Sequence, residues 1–95
     1  MSIRSIGGIT EHAAMLRLKR VLSKSGKTIR RNKANTEAAK SGDRFYIVDE
    51  EKGQVIETAS SITPWMRKHG AMDDWEYVIG EEAIEEILRK QRANP

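Results

Sequence analysis

Arg44-Phe45-Tyr46-Ile47-Val48-Asp49, Glu50-Glu51-Lys52-Gly53, Gln54-Val55-Ile56-Glu57-Thr58-Ala59: these sixteen residues decide the fold. The outer two runs are rich in aromatic and β-branched residues, which suit a pleated, half-buried surface. The four residues between them are polar and end in Gly53, the residue type that accepts positive φ without a Cβ penalty. Two strand-like runs joined by a short, Gly-ended loop predict a β-hairpin. On the first strand Phe45 and Ile47 share one face, and Tyr46 and Val48 share the other. Both faces are apolar, so this strand is expected at the centre of a sheet. Helices are expected over one face, with Tyr46 partly exposed on the other. On the return strand Val55 and Ile56 point to opposite sides.

Moving toward the N-terminus, Ala34 to Asp43 reads as a polar connector in which Glu37-Ala38-Ala39-Lys40 can form one helical turn. Lys27-Thr28-Ile29-Arg30-Arg31-Asn32-Lys33 reads as an edge strand, since Ile29 is its only large apolar residue and charge discourages edge-to-edge pairing. From Glu11 to Ser25 the pattern is helical, with Met15, Leu18, Val21 and Leu22 on one stripe. Thr10 is the expected N-cap and Gly26 the terminator. Residues 1–9 read as a flexible lead-in, because Gly7-Gly8 breaks local order.

Toward the C-terminus, Ser61 or Thr63 is expected to cap a second helix that carries Pro64 in its first turn and ends at Gly70. Trp75, Tyr77 and Ile79 alternate with Glu76 and Val78, which permits a short fourth strand; Asp73-Asp74 equally fits the start of a helical turn. Glu81 to Arg92 reads as a final helix with an Ile84, Ile87 and Leu88 stripe, acids early and bases late. Residues 93–95 fray. The chain is thus expected to be one α+β domain over 1–95, in the order α-β-β-β-α-(β)-α, with a three-stranded antiparallel sheet packed against helices. Its expected core is Leu18, Val21, Leu22, Phe45, Ile47, Val55, Trp65 and Ile87, each contributing ~1.5–3 kcal/mol on burial before entropy is counted.

Composition narrows the classes of function. A chain of 95 residues with no Cys carries no disulfide, thiolate metal site or Cys nucleophile. That is compatible with the cytosol, the expected location. The first ten residues have no continuous apolar run, which argues against a secretory signal, and no run is long enough to span a bilayer. Residues 1–46 hold 11 Lys/Arg against 3 Asp/Glu, a net of +8, while residues 47–95 hold 6 against 11, a net of −5. Such asymmetry suggests nucleic-acid contact on the basic side, weighed against simple attraction between the halves.

No catalytic constellation emerges. Gly7-Gly8 lacks the partners of a phosphate loop. His12 and His69 are too few and too far apart for a metal site, and no cofactor is implied. Ser60 and Ser61 read as caps, since no base is indicated beside them. Asp73-Asp74 and Glu81, Glu82, Glu85 and Glu86 read mainly as acidic first turns of helices. Trp65 and Trp75 read as core residues. The remaining signal is basic: Arg17, Arg20 and Lys24 form a helical ridge, and Lys27, Arg30, Arg31 and Lys33 extend it along the next strand.

The order helix, three strands, helix, with a basic front over residues 10–72, resembles the double-stranded-RNA-binding domain and the HicA-type toxins. The first resemblance implies RNA binding, although Trp65-Met66-Arg67-Lys68 stands where that domain opens its second helix with lysines. Ala34–Asp43 also lacks that domain's Gly-Pro-x-His loop. The second implies a small ribonuclease whose catalytic His comes from a Gly-Ser-His motif; Ala34–Asp43 holds no His, so no catalytic residue carries over. The reading that results is a small non-catalytic nucleic-acid-binding or regulatory module, such as a bacterium or mobile element would use. Its candidate contacts are Arg17, Arg20, Lys24, Lys27, Arg30, Arg31 and Lys33, chiefly to phosphates of DNA or RNA. The alternative is a protein-interaction module, an inhibitor or assembly factor, whose acidic and aromatic C-terminal half meets a protein partner or a second copy. Neither reading involves a membrane.

Overall fold

The computed structural model describes residues 7–33 and 36–93. The lead-in before Gly7, the connector residues Ala34 and Asn35, and the tail at Asn94-Pro95 lie outside them. The elements are β1 (Gly8–Ile9), α1 (Glu11–Ser23), β2 (Lys27–Arg31), α2 (Glu37–Lys40), β3 (Phe45–Asp49), β4 (Gln54–Ala59), α3 (Thr63–Lys68), β5 (Tyr77–Val78) and α4 (Glu82–Ala93). The fold is α+β, and β2-β3-β4 form an antiparallel sheet with β3 in the middle.

The hairpin forms as its residues dictate. Gly53 takes φ +68°. The Asp49 carboxylate accepts from the backbone N–H of Glu51 and Lys52 at 3.0 and 3.1 Å, closing an Asx-type turn. In β4 one residue is extra: Ile47 pairs with Glu57 but Val48 pairs with Val55, so Ile56 is the bulge. Val55 therefore shares the face of Val48 and is 56% exposed, which corrects its expected place in the core.

One face of the sheet is covered. Ile29, Phe45 and Ile47 are fully buried beneath Ala14, Leu18 and Leu22 of α1, with Ile62, Trp65 and Met66 from the α3 segment in the same cluster. The other face carries Thr28, Arg30, Tyr46, Val48, Val55 and Thr58, by register. None of these is fully buried, and Tyr46 is partly exposed.

Gly7 and Gly8 take part in the fold, contrary to the reading of Gly7-Gly8 as a breaker. Gly8–Ile9 pairs in parallel with Tyr77–Val78, so β5 does not extend the main sheet but forms a second, two-stranded one. Gly7 makes this approach feasible. Its φ is +91°, and a Cβ there would lie 2.5 Å from the Trp75 carbonyl oxygen.

β5 also corrects Trp75, which is 67% exposed. The inward positions of this segment belong to Glu76 and Val78, while Trp75 and Ile79 turn outward. A carboxylate can occupy an inward position because Glu76 is bound by Arg17 at 2.8 Å and by the Asp73 N–H at 2.9 Å.

α4 departs from expectation in the same way. Its inward positions are Glu85 and the preceding Glu81, four residues apart, while Ile87 faces solvent. Glu81, not Ser61 or Thr63, caps α3: its carboxylate accepts from the N–H of Ile62 (3.1 Å), the N–H of Thr63 (2.8 Å) and the Thr63 hydroxyl (2.6 Å). Glu85 pairs with Arg67 of α3, whose guanidinium also donates to the carbonyls of Asp73 and Glu76. Buried carboxylates thus attach α4 to α3, while of the expected stripe Ile84 and Leu88 are half-buried and Leu88 lines a depression with Pro64 and Arg67 of α3.

Candidate nucleic-acid interface

Glu11, in the first turn of α1, lies beside the far end of β2. One carboxylate oxygen accepts from Arg31 at 2.7 Å and the other from Arg44 at 2.9 Å. The Arg44 guanidinium carbon lies 5.1 Å from the centroid of the Phe45 ring, a cation–π distance. Beyond β2, the Asn32 N–H donates to the Arg44 carbonyl at 2.8 Å and its side-chain amide donates to the Asp43 carbonyl at 2.6 Å. These bonds hold the strand ends together where α2 crosses. α2 is built by Thr36, whose hydroxyl accepts from the Ala39 N–H at 3.3 Å.

The result is a concavity of about 420 Å³ lined by Arg31, Asn32, Lys33, Ala39 and Arg44. Three cations face one carboxylate, so the concavity is net positive. Arg31 and Arg44 remain about half exposed despite their bonds to Glu11. On the open sheet face beside it, Asn32, Asp43, Tyr46, Val55 and Thr58 line a shallow depression of about 200 Å³. Asn32 belongs to both.

The seven basic candidates are not brought onto one face. Arg31 and Lys33 line the concavity. Arg30 lies on the open face, directly opposite Tyr46 in register. Lys27 stands at the other end of β2, opposite Asp49 near the hairpin turn. Arg20 is exposed on α1, which packs against the covered side of the sheet, away from Arg30, and Lys24 is exposed in the turn between α1 and β2. Arg17 is committed to Glu76. That contact raises the Arg17 pKa and lowers that of Glu76, in each case chiefly through their side-chain hydrogen bond. Among the described residues, Arg20, Lys24, Lys27, Arg30 and Lys33 have no ion-pair partner.

Arg44, Asn32 and Tyr46 belong to this region and were absent from the sequence-derived set. Arg44 had a readable signal: the residue before a central strand lies beside the end of its neighbour. Asn32 and Tyr46 gave none that distinguishes a surface role from an ordinary structural one. Elsewhere, His12 is exposed on α1 and His69 forms the C-cap of α3. Among the described residues, no group of three or more His, Cys, Asp or Glu is placed to hold a metal ion. No described helix is long and apolar enough to cross a membrane. Compared with known proteins, the chain matches no family model, no curated protein sequence and no solved structure.

Proposed function

We propose that this chain is a small non-catalytic module that binds the phosphates of nucleic acid at the basic end of its sheet. The observation that carries this reading is the concavity lined by Arg31, Lys33 and Arg44, where guanidinium and ammonium groups outnumber the single Glu11 carboxylate. Arginine forks suit phosphate oxygens. Arg30, on the adjoining open face, adds a fourth cation within the same short length of strand. Arg20, Lys24 and Lys27 act at longer range, by raising the local concentration of a polyanion.

The test is a titration of labelled oligonucleotides, duplex and single-stranded, at several salt concentrations. Affinity is expected to fall steeply with salt, because each neutralised phosphate releases counterions. Lys33→Glu and Arg30→Glu, which break no ion pair, are expected to weaken binding and to reduce the salt slope by about 0.7–0.9 per lost phosphate contact. An absence of binding at low salt, or binding indifferent to salt, defeats the proposal.

One observation favours a second reading, a protein-interaction module. Trp75, Ile79 and Ile87 are 67%, 53% and 53% exposed in the C-terminal half. Large exposed apolar residues favour protein contact where they adjoin one another. Concentration-dependent association of the purified chain, abolished by Trp75→Ser, tests it.

A further inference from the structure

We infer that the preferred ligand is a single strand, with one base stacked on Tyr46 and the adjoining phosphates held in the Arg31–Lys33–Arg44 concavity. This rests on the nucleic-acid reading above and adds to it the class of ligand.

The argument begins with the uncovered face of the sheet. The helices pack on the Ile29, Phe45 and Ile47 side, and Tyr46 projects from the central strand on the other. The rigid strand limits the entropy lost when a ring is used as a platform. Arg30 stands directly across from Tyr46, so a cation and an aromatic ring share one cross-strand pair. Thr58 flanks the ring on β4, again directly opposite.

The depression around Tyr46 differs in chemistry from the concavity beside it. It is lined by Tyr46, Val55, Thr58, Asn32 and Asp43, and holds no Lys or Arg. Asp43 repels a phosphate there but can accept from a base amine. The concavity on the other side of Asn32 holds three cations and no aromatic residue. Base-compatible and phosphate-compatible surfaces are therefore adjacent and distinct, which is the arrangement that single strands use: a positive groove along the backbone, with aromatic platforms for unstacked bases. A duplex keeps its bases stacked inside and could use only the basic part.

The experiment measures binding of fluorescently labelled oligo-dT and oligo-U of twelve nucleotides, and of a duplex of equal length, to the full chain. Tyr46→Ala and Tyr46→Phe are compared with wild type at several salt concentrations. The expected result is tighter binding of the single strands, weakened roughly 5- to 150-fold by Tyr46→Ala, the range of one stacked base. Tyr46→Phe keeps the ring and should bind as wild type. The salt slope should be the same for all three, because Tyr carries no charge. Tyr46→Leu, which keeps an apolar side chain of similar reach but no ring and no charge, repeats the test if Tyr46→Ala does not fold. Photocross-linking of an oligonucleotide carrying 5-iodouracil should label Tyr46.

Salt-dependent binding in which the duplex is held equally well and Tyr46→Ala is silent overturns the stacking inference while leaving the phosphate reading intact. So does cross-linking to Trp75 instead. No binding of any oligonucleotide at low salt overturns both.

Discussion

Glu81→Ala removes one carboxylate and leaves three hydrogen-bond donors behind, the N–H groups of Ile62 and Thr63 and the Thr63 hydroxyl. Ile62 and Thr63 are fully buried and Glu81 is 7% exposed, so water has little access to replace the lost acceptor. Loss of an ordinary N-cap costs ~0.5–2 kcal/mol. A buried unsatisfied donor costs ~1–3 kcal/mol, and bonds to a charged acceptor lie at the upper end of the hydrogen-bond range. The Thr63 hydroxyl can rotate toward another acceptor, so the two backbone donors dominate. Together they place the loss at about 3–5 kcal/mol. That is a large part of the ~5–15 kcal/mol by which a domain is usually stable.

Urea unfolding followed by circular dichroism reads this as a lower midpoint with an unchanged m-value. Glu81→Gln keeps an acceptor and loses the charge, so it should cost less than Glu81→Ala. Thr63→Val in a double-mutant cycle with Glu81→Ala should show a coupling above ~0.5 kcal/mol, as contacting residues do. If Glu81→Ala costs under ~1 kcal/mol, within the range of many neutral surface changes, then the carboxylate is not what holds the start of α3.

Four further substitutions address other parts of the fold. Gly7→Ala adds a methyl group against the Trp75 carbonyl at a positive φ, and should cost ~1–3 kcal/mol. Amide exchange should quicken at Tyr77 and Ile79, whose N–H groups bond across to Gly7 and Ile9. Leu18→Ala, at a fully buried site, should cost ~2–5 kcal/mol, whereas Ile87→Ala, at an exposed one, should stay within ~0.5 kcal/mol. Because the Glu76 pKa is lowered in the folded chain, its contribution is present above its unfolded value, ~4.3, and is lost as pH falls through the lowered folded value. Glu76→Gln should therefore flatten the acid limb of a stability–pH curve below that point, and an unchanged limb would count against the Arg17–Glu76 contact.

Much of the architecture was legible because local signals agreed with one another. α1 has a cap and a 3.6-residue stripe, and the hairpin has β-branched runs about a Gly-ended turn. The errors share one physical cause. Trp75, Ile87 and Val55 were placed inside because they are apolar, but hydrophobicity does not determine which side of a short element faces inward. Glu76, Glu81 and Glu85 take inward positions because each meets donors from elements far away in sequence. No periodicity in the chain reveals such pairing. β1 was unreadable for a related reason: two residues have no alternation to show, and their partner lies some seventy residues later. At the candidate interface, the charges were legible and their grouping was not. The α1 ridge lies on the covered side of the sheet with Arg17 bound to Glu76, whereas Arg30 of the next strand projects from the open side and Arg31 turns back to Glu11 of α1.

The charge asymmetry of the sequence takes on a different meaning once these placements are known. By formal count the acidic half offsets part of the basic half, but Glu76, Glu81 and Glu85 are buried and bonded internally. Two of them are matched by Arg17 and Arg67, and Glu81 is satisfied by backbone dipoles and a hydroxyl. These groups hold the fold and present little field to solvent. Among the described residues of the basic half, Arg17 alone forms an ion pair with the acidic half, while Arg30, Lys33, Arg20, Lys24 and Lys27 form none. Lys27, Arg30 and Lys33 lie on or beside β2, so positive charge left unpaired by folding is concentrated there in a way the formal net charge of +3 does not show. The carboxylates that attach α4 to α3 and the cations left at the end of β2 are two outcomes of the same sorting, so substitutions at Glu81 and Glu85 should lower stability without changing the salt slope of binding by the chain that remains folded.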